Sequence, residues 1–446
     1  MTWFRYLPLA LGLVALAASS AEPPTSEAIH QEATRRHQAL IQEGYHLTYG
    51  WSLGSLAGKG DIQLPLLVPE NDADHQFQVW FETPEGEVSI RLIDEQGNAL
   101  MATTGRQGEV HLSRRMPTGK YTFQIHTSAA KGGRAELGVK GPLILTCALD
   151  PARFHEFSAA PSQGFHWPYL LFKPTTLRHA TLLVVPNNTG FAVERLEFLR
   201  ANGVCELQGM SELANRLGCP VLVPLFPRPA TDGEARNLYL HALSLASMKT
   251  EVPAWKRVDL QLLAMIRHAQ AGLKDAGQKM DSKVLLWGFS ASGQFVSRFT
   301  LLHPEAVLGV SCGSPGGWPM APVPEVDGEA LNYPLGTADL QKFSGGPLRI
   351  EALKQVRWFF FLGDQDENDA VPFRDAFSKA DEELVRRRFG ANLPARWRAA
   401  ERLYAGLGLQ AQFVLYPGVA HVVTPGIQED IARFFEKCLT GLSKTH

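Results

Sequence analysis

The sequence predicts an α/β protein in which a small antiparallel β-sandwich precedes a larger, mostly parallel sheet that helices cover on both faces. Short runs of alternating polar and apolar residues, separated by turn sequences, occupy residues 45–145 and are typical of an antiparallel sandwich. Apolar runs alternate with stretches of helical periodicity over residues 150–446, which is the pattern of a parallel sheet. The length of 446 residues is sufficient for both domains.

The composition is that of an ordinary globular protein, with 45% hydrophobic and 20% charged residues. The formal net charge of −2 argues against a nucleic-acid partner, because binding to phosphates requires a basic surface. The cysteine spacings match no metal motif. We therefore expect neither a metal nor a cofactor.

The N-terminus has the pattern of a secretory signal peptide, which we predict over residues 1–21. Arg5 precedes an apolar run at 7–18 that is too short to span a bilayer, and small residues lead to a cleavage site after Ala21. An apolar N-terminal helix of the mature chain is the alternative. The signal peptide predicts export to the periplasm or the extracellular medium, without an integral membrane anchor.

A polar helix is expected over residues 22–44, before the sandwich. The clearest sandwich strands are 76–81, 88–93 and 121–125. A segment rich in Pro, Ala and Ser at 149–163 is predicted to be a linker without regular structure.

The chain has five cysteines, so at least one thiol stays free or pairs between chains. Cys205 and Cys219 are close in sequence, but an apolar helical stripe lies between them. At about 1.5 Å per residue, a helix would separate them by roughly 20 Å, far beyond the ~5.5 Å of a disulfide. We therefore predict that these two do not pair.

The larger domain is predicted to alternate strands and helices, and a ligand site is expected at the carboxyl ends of its strands. The expected strands are 169–172, 180–186, 220–225, 284–288, 307–311, 356–362 and 411–416. The expected helices are 206–217, 254–273, 292–302, parts of 373–388, 395–405 and 427–439.

A sharp turn between the strand at 284–288 and the next helix carries the candidate nucleophile, Ser290. The positions two before and two after such a serine must be small, and Gly288 and Ser292 occupy them. Serine at 292 departs from the usual glycine, although a turn centred on Ser292 fits less well. The alternative interpretation is a glycine-rich loop with a helix-capping serine.

A carboxylate and a histidine follow in the order serine, acid, histidine. The histidine is His421, just beyond the strand at 411–416, and its neutral imidazole would take the serine proton. The acid that would orient it is Asp366. Asp364 as a turn former and Asp369 as a helix cap are the alternatives for that loop.

Acyl transfer also needs hydrogen-bond donors directed at the developing oxyanion. The backbone N–H of Ala291 is the first candidate, and Asn188 or Thr189, after the strand at 180–186, would supply the second. An Asn-rich turn that bonds its own backbone is the alternative for the latter pair.

An insertion at 313–346 interrupts the strand–helix alternation and is expected to form a lid or a pocket wall. Trp318 and Tyr333 within it, and Arg228 outside it, are candidates for substrate contact. Three histidines in or near predicted helices are interpreted as structural: His241, His268 and His303.

The motifs GFSASGQ at 288–294, GDQDEND at 363–369 and YPGVAH at 416–421 resemble those of exported α/β-hydrolases. The resemblance is to polyhydroxybutyrate-depolymerase-like esterases and prolyl-oligopeptidase-like serine hydrolases, and LFPRP at 225–229 and NYPLG at 332–336 add to it. It covers roughly residues 167–446 and implies an α/β-hydrolase fold with a Ser-Asp-His triad. The sandwich loosely resembles the accessory modules of secreted hydrolases.

The expected function is that of an exported serine hydrolase that cleaves a carboxylic ester, small or polymeric. A serine peptidase and a catalytically vestigial binding protein are the alternatives. The acyl-chain length, the role of the sandwich and the oligomeric state stay open.

Overall fold

The computed structural model divides into two compact units, Met1–Thr146 and Cys147–His446. The predicted signal peptide lies outside the described residues. None of the helices in the described part of the chain is long and apolar enough to cross a membrane. The residues that the structure describes are 25–43, 47–53, 62–68, 74–131, 133–141, 144–145, 147, 149–188, 194–229, 238–373 and 376–442.

The N-terminal unit contains helix α1 (Ser26–Gln42) and two antiparallel sheets. One sheet has the order β1-β8-β3-β6 and the other the order β5-β4-β7-β2-β9. The strands are β1 (Leu47–Ser52), β2 (Ile62–Val68), β3 (Asp74–Glu82), β4 (Glu85–Asp94), β5 (Ala99–Gly105), β6 (Gln107–Arg115), β7 (Gly119–Lys131), β8 (Arg134–Lys140) and β9 (Ile144–Leu145).

Successive side chains along these strands point to opposite faces of the sheet, as the sequence pattern predicts, and those on one face form the core of this unit. Phe77, Val79 and Phe81 of β3 are buried on one face. Trp80 points to the other face, where it packs with Ile29 and Ala33 of α1. The polar helix predicted before the sandwich therefore packs onto it through a narrow apolar stripe.

The C-terminal unit is built on one sheet of the order β10-β11-β13-β12-β14-β15-β18-β19. Six strands of this sheet run parallel: β13, β12, β14, β15, β18 and β19. The remaining two, β10 and β11, run antiparallel to their neighbours. The strands are β10 (Phe154–Phe157), β11 (Tyr169–Phe172), β12 (Leu183–Val184), β13 (Val221–Pro224), β14 (Val284–Phe289), β15 (Val307–Gly313), β18 (Arg357–Gly363) and β19 (Gln410–Tyr416). This is the α/β-hydrolase fold, and the predicted fold class is confirmed.

The helices of this unit alternate with its strands, and a small hairpin of β16 (Glu325–Val326) and β17 (Glu329–Ala330) lies in the 313–346 insertion. The helices are α2 (Leu196–Leu217), α3 (Leu245–Lys249), α4 (Val258–Asp275), α5 (Ala291–Leu302), α6 (Gln341–Ser344), α7 (Ile350–Leu353), α8 (Lys379–Phe389), α9 (Leu393–Gly406) and α10 (Pro425–Leu442).

Two sequence predictions are wrong in this unit. The predicted linker at 149–163 contains β10, which pairs as the edge strand with β11. Helix α2 begins ten residues before its predicted start at 206. It contains Gly203, where a side chain would lie 2.4 Å from Leu225, so this glycine allows close helix–sheet packing instead of ending the helix.

A disulfide joins Cys147 at the start of this unit to Cys205 in α2. Cys219 is a free, buried thiol just beyond the end of α2, and Cys312 and Cys438 are also free and buried. The prediction that Cys205 and Cys219 do not pair is confirmed. The helix between them is the physical reason, since it holds its two ends apart.

The order of the parallel strands brings several loops to one edge of the sheet. Asn188 follows β12, Ser290 follows β14 and Ser314 follows β15. Asp366 follows β18 and His421 follows β19. All these loops leave the carboxyl ends of neighbouring parallel strands, so they converge on one site.

Candidate active site

Ser290 sits at a strained turn between β14 and α5, with φ 60° and ψ −123°. Its N–H donates to the carbonyl of Gly313 at 2.9 Å, which ties the turn to β15. A side chain at Gly288 would lie 2.2 Å from the backbone oxygen of Ser292, so only glycine fits there. These are the steric features of a nucleophile elbow.

Ser292 fills the position where glycine is usual, and its side chain is buried inside the turn. Its hydroxyl accepts from the N–H of Phe289 at 3.0 Å and donates to the carbonyl of the same residue at 2.9 Å. Position 293 has no room for a side chain, since a Cβ at Gly293 would lie 2.6 Å from the oxygen of Gly313 on β15. A serine is therefore compatible with position 292.

The structure brings Asp366 and His421 together, with the carboxylate Oδ2 2.9 Å from the imidazole Nδ1. The side chain of Asp366 is 1% exposed and that of His421 is 20% exposed. An ionised carboxylate only accepts hydrogen bonds, so Nδ1 carries the proton and Nε2 presents a lone pair. This is the tautomer that a general base needs.

Burial alone would raise the pKa of Asp366, but its partners outweigh burial and lower it. His421 contributes through its charge when it is protonated and through a hydrogen bond, while the N–H of Asn368 and the hydroxyl of Ser314 also donate to the carboxylate. Asp366 is thus held ionised, which is the state that a residue orienting His421 would need.

The other two aspartates of the loop at 363–369, the acid loop, have different partners. Asp364 is exposed and accepts from the N–H of Gly418 at 2.7 Å, so it links the acid loop to the loop before His421. Asp369 accepts from the fully buried Arg396, with both oxygens 2.8 Å from Nη1, and from the N–H of Val371 at 3.1 Å. Neither contact involves the imidazole.

Two residues of the site were missed from the sequence, Ser314 and Asn368. Ser314 follows β15, which lies between the strands that carry Ser290 and Asp366, so the rule of strand ends could have identified it. Asn368 lies two residues after Asp366, and its Nδ2 is 3.1 Å from Nε2 of His421. The ring of Phe289, next to Ser290, has its centroid 4.6 Å from the imidazole.

A small cavity of about 10 Å³ lies behind the acid. This is roughly the space that one water molecule needs. Its walls join the start of the 313–346 insertion to the acid loop and to α9. They include Ser314, Gly317, Asp366, Asn368 and Trp397.

The candidate oxyanion donors lie in the elbow itself and in the loop after β12. Ala291 is the first residue of α5, where backbone N–H groups have no partner within the helix. Asn188 is partly buried, and its Oδ1 accepts from the hydroxyl of Tyr239 at 3.3 Å. Thr189 lies outside the described residues. The neighbouring Asn187 is buried and bonds both the N–H and the carbonyl of Phe226, which anchors this loop.

The three candidates for substrate contact have different surroundings. Trp318 is fully buried, donates to the carbonyl of Leu335 at 3.0 Å and stacks on Phe389. Tyr333 is also buried and its hydroxyl donates to the carbonyl of Leu243. Both side chains hold the 313–346 insertion on the core. Arg228 is partly exposed, with its guanidinium 3.7 Å from the ring centroid of Tyr239.

The three histidines interpreted as structural have internal partners. His241 is fully buried and donates from Nε2 to the carbonyl of Phe226 at 2.8 Å, and burial lowers its pKa to about 4. His268 bonds the hydroxyl of Tyr169, and His303 bonds the buried Asp259. Among the described residues, no group of three or more His, Cys, Asp or Glu side chains is placed to hold a metal ion.

No protein-family model matches the chain, and no curated protein sequence matches it. Solved structures similar to it include poly(aspartic acid) hydrolase-1 from Sphingomonas sp. KT-1, with 19% identity, a TM-score of 0.44 and coverage of 64% of this chain and 98% of that one. A thermostable esterase shares 15% identity, with a TM-score of 0.40 and coverage of 85% of this chain and 99% of that one. The S-formylglutathione hydrolase from Agrobacterium tumefaciens shares 12% identity, with a TM-score of 0.36 and coverage of 64% and 94%.

Proposed function

We propose that this protein is an exported serine hydrolase that cleaves a carboxylic ester through an acyl-enzyme on Ser290. The observation that carries the proposal is the pair formed by Asp366 and His421 at the sheet edge where Ser290 occupies a strained turn. The hydrogen bond to Asp366 leaves Nε2 of His421 as the basic nitrogen. Chain order and strand-end positions agree with this assignment of roles.

In the proposed reaction, the oxygen of Ser290 attacks the ester carbonyl while Nε2 of His421 takes the hydroxyl proton. The tetrahedral intermediate collapses as His421 gives that proton to the leaving alcohol, and the acyl group stays on Ser290. A water molecule, deprotonated by His421, then attacks the acyl-enzyme. The carboxylic acid leaves and Ser290 regains its proton.

The oxyanion formed in each step requires donors placed before the reaction begins. The N–H of Ala291 at the start of α5 and the loop that contains Asn188 are the proposed sources. The hydrogen bond that Asn188 accepts from Tyr239, together with the anchoring of Asn187 to Phe226, supports a loop fixed in advance.

Arg228 is the proposed substrate contact of the three candidates, because its side chain is partly exposed while Trp318 and Tyr333 are buried. Its stacking on Tyr239, whose hydroxyl contacts Asn188, connects it to the loop proposed for oxyanion binding. The substrate itself is proposed only as a class, a small or polymeric ester.

A fluorophosphonate probe tests the proposal, because it reacts only with an activated serine. We expect the wild-type protein to be labelled, the adduct to map to Ser290 by fragmentation, and Ser290→Ala to abolish both labelling and ester hydrolysis. An adduct on Ser292, or full activity of Ser290→Ala, would refute the assignment. A folded wild-type protein that neither reacts with the probe nor hydrolyses esters would instead favour the vestigial binding protein.

A further inference from the structure

Asn368 contacts both partners of the proposed acid–base pair. Its backbone N–H donates to Oδ1 of Asp366 at 2.9 Å, and its side-chain Nδ2 lies 3.1 Å from Nε2 of His421. Nε2 is the nitrogen that has to receive the proton of Ser290 in the proposed reaction. Among the residues that the structure describes, Asn368 is the one within hydrogen-bond distance of that nitrogen.

The direction of this hydrogen bond follows from the other side of the ring. Nδ1 faces a carboxylate and therefore carries a proton, so a neutral imidazole offers Nε2 only as an acceptor. The amide NH₂ of Asn368 must then be the donor. A donor at this position stabilises the neutral ring and opposes a proton on Nε2, since two N–H groups would face each other.

The other groups around the imidazole do not oppose a proton on Nε2. Asp366 faces Nδ1 and, as a carboxylate, favours the imidazolium, and the ring of Phe289 lies against the imidazole without charge. The other aspartates of the acid loop bond elsewhere, Asp364 to the N–H of Gly418 and Asp369 to Arg396, and the side chain of Glu367 is exposed.

We propose that Asn368 is a positioning residue that holds His421 neutral, with its lone pair directed away from Asp366, until substrate binds. This inference rests on the proposed serine-hydrolase function. When Ser290 transfers its proton, the amide must leave Nε2 or rotate, because only its oxygen can accept from the new Nε2–H. Within the described residues, Oδ1 of Asn368 makes no hydrogen bond that this rotation would break.

Two variants test the inference, and the first is Asn368→Asp, which has the same shape but presents only acceptors to Nε2. The pH profile of kcat/KM for p-nitrophenyl acetate is measured in the full-length protein. A carboxylate within about 4–6 Å favours the imidazolium, so the acid limb should move to higher pH by about 1–3 units. Asn368→Ala should move it in the same direction by at most about 1 unit, the equivalent of one neutral hydrogen bond.

The matched control is Asp364→Asn, which changes the charge of the same loop by one in the opposite sense without contacting the imidazole. Its acid limb should move by less than that of Asn368→Asp. An unchanged acid limb in folded Asn368→Asp would refute the contact with the imidazole. A shift of the acid limb to lower pH in Asn368→Ala would overturn the inference, because it would show that Asn368 acts as an acceptor. A merely structural role would lower kcat/KM equally at every pH.

Failure of the proposed function is separable from failure of this inference. If the wild type is labelled at Ser290 but the pH profiles of kcat/KM coincide for the wild type and the Asn368 variants, only the role of Asn368 is wrong. If the wild type is not labelled, ¹⁵N NMR of the His421 ring still tests the contact without any need for activity. We expect the Nδ1–H form in the wild type and protonation at higher pH in Asn368→Ala and Asn368→Asp. Failure of both variants to change that titration would overturn the inference.

Discussion

Removal of the Ser292 hydroxyl should destabilise the elbow, and Ser292→Ala tests this. The side chain is 4% exposed, and its hydroxyl makes two hydrogen bonds to the peptide groups of Phe289, directly before the strained Ser290. Each such bond contributes about 0.5–1.5 kcal/mol net, so the variant should lose about 1–3 kcal/mol of unfolding free energy. That amount is comparable to the roughly 1–3 kcal/mol stored in a strained backbone conformation.

Ser311→Ala is the matched control for this prediction. Ser311 lies on β15 beside the elbow, is fully buried, and its hydroxyl has no hydrogen-bond partner among the described residues. Loss of an unpaired buried hydroxyl should be neutral or stabilising. The same serine-to-alanine change should therefore have opposite consequences at two neighbouring positions.

Urea unfolding of the two variants and the wild type gives the free energies, and equal m-values show that the unfolded states are comparable. The rate of fluorophosphonate labelling then reports whether the elbow still presents Ser290, and we expect it to fall in Ser292→Ala. Equal unfolding free energies for Ser292→Ala and Ser311→Ala would refute the reasoning. Ser292→Gly restores the usual elbow residue and should keep substantial activity, despite a similar loss of stability.

Three further predictions follow from particular contacts. Asp366→Asn should lower kcat by several orders of magnitude, because an amide favours the wrong imidazole tautomer, whereas Asp364→Asn should retain most activity. If steady-state kinetics gave the reverse ranking, the acid would be Asp364. The pKa of His241 falls from its ordinary 6.5 to about 4, so between these pH values the unfolded chain binds a proton that the folded protein does not. The unfolding free energy should therefore fall by up to about 3 kcal/mol as the pH decreases through that window, and it should fall less steeply in His241→Gln. Equal slopes of unfolding free energy against pH for the wild type and His241→Gln, measured by urea unfolding, would contradict this. A chain that begins at Cys147 retains the Cys147–Cys205 disulfide and every proposed catalytic residue, so it should hydrolyse small esters. A folded fragment that reacts with the fluorophosphonate probe but does not hydrolyse small esters would instead mean that the N-terminal unit contributes to the site.

The sequence by itself determined the fold class and the positions at which the candidate chemistry occurs. Strand and helix periodicity, Gly288 before Ser290, and the order of serine, acid and histidine are local properties of the chain. The backbone at Ser290 has the positive φ that an elbow requires, and Gly288 is the small residue that it needs. Such features are readable because steric limits act between residues only a few positions apart.

Only the tertiary structure decided which groups are partners. Asp364, Asp366 and Asp369 lie within six residues, yet they bond Gly418, His421 and Arg396, which come from later, distant segments. Long-range packing likewise decided that Cys147 pairs with Cys205, that residues 154–157 form an edge strand, and that Trp318 and Tyr333 are buried. Each of these outcomes depends on which element lies next to which, and sheet order and helix packing set that adjacency through contacts between residues far apart in sequence.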